Sequence, residues 1–217
     1  CRRDTYEANR TGYRMRNLFE PRLVNDSFGD PGLYVDFRDE RRALLFDLGD
    51  IAVLPPRKLL RVSHVFVSHA HMDHFAGFDQ LLRVVLGRKS TIALIGGPGF
   101  VTQVEHKLRA YAWNVVHRYA VELALDVREI GTDGHGQRAR FSSRTAFARE
   151  PCAPFECPDD VLHDEALFRV RGRFVDHEMP CLAFVVEEKA RARVAKDRLA
   201  ALGVCTGSWL RELKLAV

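Results

Sequence analysis

Short apolar runs alternate with charged or proline-rich turns in the first part of the chain. The runs Gly32–Phe37 and Ala43–Asp50 flank the charged turn RDERR, a pattern that predicts a β-hairpin. The breaker at Pro55 and Pro56 separates this hairpin from a third predicted strand over Leu59–Ser68.

The apolar period then changes to that of helices. Phe75–Leu86 carries its apolar residues on one helical face and is followed by Gly87, which predicts a helix that ends there. We further predict a strand at Thr91–Gly97, a helix at about Phe100–Val116 and a strand at Val121–Ile130. This order of elements indicates an α/β fold.

The second half of the chain is less regular. Residues Gly131–Arg144 contain three glycines and few apolar side chains, so we expect an exposed loop or a partly disordered insert there. Three strands are predicted at Thr145–Glu150, Ala166–His177 and Cys181–Lys189. A last helix is predicted at about 190–202, ended by Gly203.

Composition limits the class of protein. The 217 residues suffice for one domain with a sizeable core, and the net charge of +4 permits a polyanionic partner without requiring one. No apolar run has the length of a membrane span, so we expect a cytoplasmic protein with no membrane partner. The five cysteines are odd in number and scattered, which predicts reduced thiols rather than a disulfide framework.

Arginines form two clusters. One contains Arg138, Arg140, Arg144 and Arg149, and the other contains Arg169, Arg171 and Arg173. Each cluster is either a solvated face or strand edge, or a surface that contacts phosphates.

The two ends of the chain give expectations about its extent. Residues 1–14 begin with Cys1 and have no apolar period, so we expect an unstructured or non-native extension before Met15. The C-terminal segment GSWLRELKLAV is amphipathic and stops abruptly. We therefore expect residues 15–217 to form one domain that is incomplete.

Candidate chemistry is concentrated directly after the third predicted strand. His69, His71, Asp73 and His74 lie within six residues, between that strand and a helix. Two histidines spaced by two residues point the same way on extended backbone and can bind one ion. Asp73 and His74 can face a neighbouring point, as in a two-metal site. Imidazole with carboxylate suits zinc or a similar divalent ion.

The first pair needs a third protein ligand, and the candidate is His177, which lies at the end of one predicted strand and before the next. The other histidines are weaker candidates. His106 and His117 are expected on the surface, and His64 is expected to be packed or hydrogen-bonded within its strand. The remaining two, His135 and His163, are expected in loops.

The HxHxDH pattern resembles that of the metallo-β-lactamase superfamily, which implies an αββα sandwich with a metal site at one edge of its sheets. The late position of His177 and the following strand resemble the ribonuclease Z branch, as do Pro56–Leu82 and Ile95–Phe100. Gly203–Lys214 resembles the base of the tRNA-binding arm of that branch, so residues 190–217 are expected to begin such an arm.

The sequence also departs from the ribonuclease Z pattern. Ala183 and Phe184 replace the usual Gly and Tyr, and Ser208 replaces a Pro. Asp50 replaces a Glu of the family, whereas Asp47 corresponds to a structural acid beside the metal loop.

The resemblance implies an endonuclease that processes the 3′ end of pre-tRNA with a hydroxide activated by divalent ions. These ions are two Zn²⁺ per complete site, with Mn²⁺ as an alternative. His69, His71 and His177 would hold one ion, while Asp73 and His74 would contribute to the other. Asp73 would also act catalytically, by orienting the water or accepting its proton. A homodimer is implied for the full-length protein.

The family's bridging Asp and last ligand His would come after Val217, so we expect residues 1–217 alone to be weakly active or inactive. Two alternatives stay open at this point. One is another hydrolase of the same fold, which acts on a small ester, lactone or cyclic phosphodiester. The other is a binding module in which the metal site no longer catalyses a reaction.

Overall fold

A large mixed β-sheet lies at the centre of the structure, a computed structural model that describes residues 17–189 and 196–215. The predicted extension 1–14 and the start of the predicted last helix, 190–195, lie outside the described residues. Within the described part, strands β1 to β8 follow one another across the large sheet, and β9 pairs with β7. The strands are β1 Phe19–Leu23, β2 Leu33–Phe37, β3 Ala43–Phe46, β4 Val62–Phe66, β5 Thr91–Gly96, β6 Ala124–Ile130, β7 His135–Ser142, β8 Arg149–Pro151 and β9 Phe155–Glu156.

The middle of the large sheet is parallel and its two sides are antiparallel. β3, β4, β5 and β6 pair in parallel, and the segments that join them carry helices. The helices are α1 Pro56–Leu59, α2 Met72–Phe75, α3 Phe78–Val85, α4 Phe100–Arg109, α5 Lys196–Ala201 and α6 Trp209–Leu215. Three short 3₁₀ turns occupy Val116–Arg118, Ser143–Thr145 and Pro158–Asp160.

A smaller antiparallel sheet packs on the other face of the large one. It contains β10 Val161–Asp164, β11 Phe168–Asp176 and β12 Pro180–Glu188. Two successive residues of β4 face opposite sides of the large sheet. Val65 belongs to a core shared with α3 and α4, whereas Phe66 belongs to a second core shared with Phe168 and Val170 of β11. The layers are therefore helix, sheet, sheet, and the predicted α/β fold with stacked sheets is confirmed.

The early strands agree well with the sequence prediction. β2 and β3 pair as an antiparallel hairpin around the charged turn. The long strands β11 and β12 also lie where they were predicted and pair with each other along their whole length.

The predicted loop at Gly131–Arg144 is wrong, because most of it forms β7 and pairs with β6. Ala139 and Phe141 are fully buried, whereas Arg138, which precedes them, and Arg140, which lies between them, are exposed. This alternation is the period of a strand, although glycines and arginines outnumber its apolar residues.

The first two predicted helices are shorter than expected. The helix predicted over Phe75–Leu86 is interrupted at Ala76 and Gly77, which lie between the end of α2 and the start of α3. The helix predicted to reach Val116 ends at Arg109, and the indole Nε1 of Trp113 donates to the Leu108 carbonyl beyond that end (2.7 Å).

Two further predictions need correction. The strand predicted at Thr145–Glu150 is mostly a turn, because Ala146 and Phe147 have positive φ, and only β8 remains of it. His135 and His163 lie in strands β7 and β10 rather than in loops.

Candidate metal centre

Three histidines from separate segments converge beyond the end of β4. His69 follows β4, His71 lies at the start of α2, and His177 lies in the turn between β11 and β12. One ligand atom of each lies within 4.8 Å of the others. His69 is buried, with 5% of its surface exposed, whereas His71 and His177 are exposed. The small sheet thus supplies His177, and the segment after β4 of the large sheet supplies His69 and His71.

Hydrogen bonds determine which nitrogen of His69 is free. The hydroxyl of Ser68 donates to Asp47 Oδ2 (3.0 Å), so it accepts from His69 Nδ1 at 3.0 Å. The lone pair of His69 is therefore on Nε2, which faces Nδ1 of His71 at 3.0 Å. Burial lowers the pKa of His69 and the neighbouring His74 and His71 lower it further, so the ring is neutral at pH 7.

Asp47 supports the next histidine as well. Its backbone has a positive φ of 59°, which Asp tolerates better than most residues and which turns the chain at the end of β3. Its carboxylate accepts from the Ser68 backbone N–H (2.7 Å) and from His74 Nδ1 (2.9 Å). A carboxylate on Nδ1 leaves Nε2 of His74 available as a ligand.

Asp73 and His74 stand apart from the three converging histidines. Asp73 Oδ2 lies 3.5 Å from His74 Nε2, and its side chain is 54% exposed. The ring of His74 packs against that of His69 with centroids 4.1 Å apart. The structure therefore brings Asp73 and His74 next to each other and beside the cluster, but neither belongs to the group of three that lies within ligand distance.

Two glycines allow the supporting loop to pack closely against α2. A Cβ on Gly49 would lie 2.5 Å from the Asp73 carbonyl oxygen, and one on Gly77 would lie 2.4 Å from the Gly49 carbonyl oxygen. The Leu48 backbone links the segments, since its N–H donates to the His74 carbonyl and its own carbonyl accepts from the Gly77 N–H. Only glycine permits this approach, and it fixes the position of α2 against Asp47.

The cluster opens to solvent on one side. A cavity of about 640 Å³ is lined by His71, Asp176, His177, Glu178 and Met179. On the protein side, Cys181 Sγ lies 3.5 Å from His69 Nδ1, and burial raises the pKa of this thiol.

The donor set fits a divalent ion. His69 Nε2 and His71 Nδ1 are 3.0 Å apart, close to the spacing of about 3.4 Å between two nitrogens bound tetrahedrally to zinc at about 2.1 Å. The hydrogen bond from His69 Nδ1 to Ser68 and the one from His74 Nδ1 to Asp47 hold both rings with Nε2 outward. We conclude that His69, His71 and His177 are suited to hold one ion.

Most arginines of the two clusters pair with carboxylates, whereas Arg144 donates to the backbone carbonyls of His117 and Ala120. Arg138 pairs with Asp126, and Arg140 with Glu122. In the second cluster, Arg169 pairs with Glu187. Such pairing favours the interpretation of these clusters as solvated sheet faces. The structure also exposes His106 and His117, as predicted.

Sequence reasoning did not single out Ser68 or Cys181, although both contact His69. The sequence did contain a signal for Ser68, since a serine next to a histidine ligand has a short side chain that can form a hydrogen bond with that histidine. Cys181 has no comparable signal, because its contact depends on how β12 packs against the end of β4.

None of the described helices is long and apolar enough to cross a membrane. The four described cysteines, at positions 152, 157, 181 and 205, are free, as predicted.

No family model matches the chain. Curated relatives do match it. Ribonuclease Z of Deinococcus radiodurans is 30% identical over 186 residues, which cover 79% of this chain and 52% of that protein. Ribonuclease Z of Halalkalibacterium halodurans is 27% identical, covering 71% of this chain and 40% of the relative, and that of Methanococcus maripaludis is 24% identical, covering 85% and 51%. The chain thus spans about half the length of the curated relatives it matches.

The chain is also similar to solved structures. The short form of human tRNase Z has a TM-score of 0.48 at 17% identity, covering 79% of this chain and 62% of that chain. The metallo-β-lactamase fold protein YhfI of Bacillus subtilis has a TM-score of 0.43 at 17% identity, covering 76% and 53%. Because these scores are low, the relationship rests on the sequences. The sequence matches identify this chain as a homologue of the ribonuclease Z proteins.

Proposed function

We propose that this chain contributes the metal-binding part of a ribonuclease Z-type phosphodiesterase that cleaves pre-tRNA at its 3′ side. One observation carries the proposal: three imidazole nitrogens from His69, His71 and His177 lie within 4.8 Å of one another beside an open cavity. Homology to ribonuclease Z proteins supports the choice of reaction and substrate. Because the chain spans only part of those relatives, the activity belongs to the proposal for the whole protein.

The proposal gives each residue of the cluster a role. His69, His71 and His177 hold a divalent ion, with Zn²⁺ as the first choice and Mn²⁺ as the alternative. Such an ion supplies Lewis-acid chemistry, which polarises a phosphoryl oxygen and acidifies water. Asp47 and Ser68 keep the rings of His69 and His74 in the tautomers that present Nε2.

Asp73 is the proposed catalytic residue. Its carboxylate is exposed and lies 3.5 Å from His74 Nε2, where it can orient a water and accept its proton on a carboxylate oxygen. The water oxygen forms a bond to phosphorus while the phosphorus–oxygen ester bond breaks, and the leaving oxygen takes a proton from solvent. His74 is a proposed ligand of the second metal ion, whose other ligands include groups that are not assigned in this chain.

The test is cleavage of a pre-tRNA that carries a 3′ trailer, by the protein in its natural length and with added Zn²⁺ or Mn²⁺. We expect His69→Ala to lower the rate at least about 100-fold, because the buried ligand cannot be replaced by solvent. His106→Ala is the matched control, since His106 is exposed in α4 away from the cavity. Cleavage unchanged by His69→Ala would refute the role of this cluster.

Two other results would redirect the proposal. Hydrolysis of a small ester, lactone or cyclic phosphodiester with pre-tRNA left intact would identify the smaller-substrate hydrolase. Metal binding without any hydrolysis would identify a binding module. A pre-tRNA substrate also predicts binding that weakens steeply as salt is raised.

A cytoplasmic location and a homodimer of the full-length protein complete the proposal. The homodimer is implied by the family resemblance, and the location is the expectation drawn from the sequence. Analytical ultracentrifugation of the natural-length protein tests the dimer.

A further inference from the structure

A second cluster of ligand-type side chains lies between the two sheets, away from the cavity. It contains His64 of β4, His163 of β10 and Glu165 just after β10, and one ligand atom of each lies within 4.8 Å of the others. All three are partly buried. His64 precedes His69 by five residues of extended chain, or roughly 16 Å, so one ion cannot serve both clusters.

The tautomer of His64 leaves one ring nitrogen with a free lone pair. The Ser63 hydroxyl donates to the Ala43 carbonyl (3.3 Å), so it accepts from His64 Nδ1 at 3.0 Å. The proton is therefore on Nδ1 and the lone pair is on Nε2. Burial, followed by the neighbouring His163, lowers the pKa of His64 to about 3, so the ring stays neutral at any physiological pH.

His163 and Glu165 already face each other. His163 Nε2 lies 2.7 Å from Glu165 Oε1, and the His64 and His163 ring centroids are 4.1 Å apart. Two donors on a tetrahedral zinc ion are about 3.4 Å apart, so the His163–Glu165 contact has to open by less than 1 Å to admit an ion.

The local charge permits a cation. Arg42 holds Glu165 through two hydrogen bonds of 2.7 and 2.8 Å and also pairs with Glu40 (3.0 Å). This cation is therefore outnumbered by its two carboxylates, which leaves one negative charge beside the two imidazoles. Arg128, the other nearby cation, lies 2.9 Å from Asp126, a carboxylate that it shares with Arg138.

We propose that His64, His163 and Glu165 form a second, structural site for a borderline divalent ion such as Zn²⁺. Two imidazoles and one carboxylate are the ligands that zinc prefers, with water as the fourth. Arg42 then keeps the carboxylate oriented from its far side, as supporting hydrogen bonds do around metal ligands. Because His64 is in the large sheet and the other two ligands are at the edge of the small sheet, the ion joins the two sheets.

The test disables the cluster of His69, His71 and His177 and measures how much zinc stays bound to the protein. His71 and His177 are both exposed, so the double variant His71→Ala/His177→Ala is expected to fold. After dialysis against micromolar Zn²⁺, we expect this variant to retain about one zinc per chain. Adding His163→Ala is expected to reduce that to near zero, whereas adding His106→Ala is expected to leave it unchanged.

Glu165→Gln is the second variant, in case His163→Ala fails to fold. It keeps the size and hydrogen-bonding capacity of the side chain and removes the anionic ligand. We expect zinc affinity to fall at least about 10-fold, with circular dichroism unchanged. Failure of the double variant to retain zinc, or retention that neither His163→Ala nor Glu165→Gln reduces, would overturn the proposal. These results do not depend on the nuclease activity.

Discussion

At the scale of single residues, side chains that bind no ion decide which imidazole nitrogens are available. Asp47 occupies a left-handed backbone conformation and accepts three hydrogen bonds, two from Ser68 and one from His74. Its carboxylate therefore fixes the ring of His74 directly and that of His69 through Ser68. We regard Asp47 as a positioning residue for both rings.

Replacing Asp47 by Asn tests this role. The amide can no longer accept all three hydrogen bonds, so we expect zinc affinity to fall about 10- to 100-fold in competition with a chelating dye. Asp50→Asn is the matched control, because Asp50 is exposed and its carboxylate accepts only from the Ala52 N–H among the described contacts. An equal loss of affinity in both variants would contradict the assignment of Asp47 as the supporting acid.

His64 makes stability depend on pH. Its folded-state pKa of about 3 lies below the ordinary 6.5, mainly because the ring is buried. As the pH falls below 6.5, the unfolded chain takes up a proton that the folded chain does not, so stability falls with pH until about pH 3. Between pH 7 and pH 5 this amounts to about 2 kcal/mol.

Urea unfolding at both pH values, with EDTA present, measures the effect. We expect His64→Gln to lose about 2 kcal/mol less than the natural sequence between pH 7 and pH 5. His106→Gln should follow the natural sequence, because that histidine is exposed. If His64→Gln loses as much as the natural sequence, His64 is not neutral in the folded chain.

Much of the candidate centre could be predicted from the sequence at this scale. The ligands His69 and His71 follow from a spacing of two after an apolar strand, and His177 from its place between two strands. The cluster of His64 with His163 could not be predicted, because its members are far apart in the chain and meet only where two sheets stack. No local pattern contains that information.

At the scale of elements, β7 shows where periodicity was present but weak. Its exposed face carries arginines that pair with acids on neighbouring segments, while its inner face carries only Ala139 and Phe141 as buried apolar side chains. A count of apolar residues therefore predicts a loop, whereas their alternation predicts a strand. The helix break at Gly77 likewise depends on a contact with Gly49, which sequence spacing does not reveal.

Phe141 tests whether β7 is an integral part of the sheet. Because its ring is fully buried in the core beneath the helices, we expect Phe141→Ala to lower the free energy of unfolding by about 3–5 kcal/mol. Arg140→Ala on the opposite face should cost no more than about 1 kcal/mol, since its ion pairs are exposed. A cost for Phe141→Ala as small as that for Arg140→Ala would restore the loop interpretation.

At the scale of the whole molecule, the small sheet is joined to the large one by aromatic side chains. Phe168 of β11 is fully buried and packs edge-on against Phe19 (5.3 Å) and Phe37 (5.2 Å) of β1 and β2. The same pair of sheets also brings His177 to His69. Docking of the sheets is therefore a condition for the metal centre, and the two sheets should unfold together.

Trp113 allows this coupling to be measured. It packs against Phe147, in the core between the helices and the large sheet, on the side away from the small sheet. In a Trp209→Phe background Trp113 is the only tryptophan, because the chain has two. Its fluorescence then reports on the core that Phe168 does not touch.

We expect Phe168→Ala in this background to lower the free energy of unfolding by about 3–5 kcal/mol, because a buried ring is lost. The fluorescence of Trp113 and the far-UV circular dichroism should shift to the same lower denaturant midpoint, as for a two-state transition. Phe28→Ala is the control, since that ring is fully exposed and its loss should leave the midpoint unchanged. A shift seen by circular dichroism but not by Trp113 would mean that the small sheet unfolds separately. The cluster of His69, His71 and His177 would then be lost before the core beneath the helices.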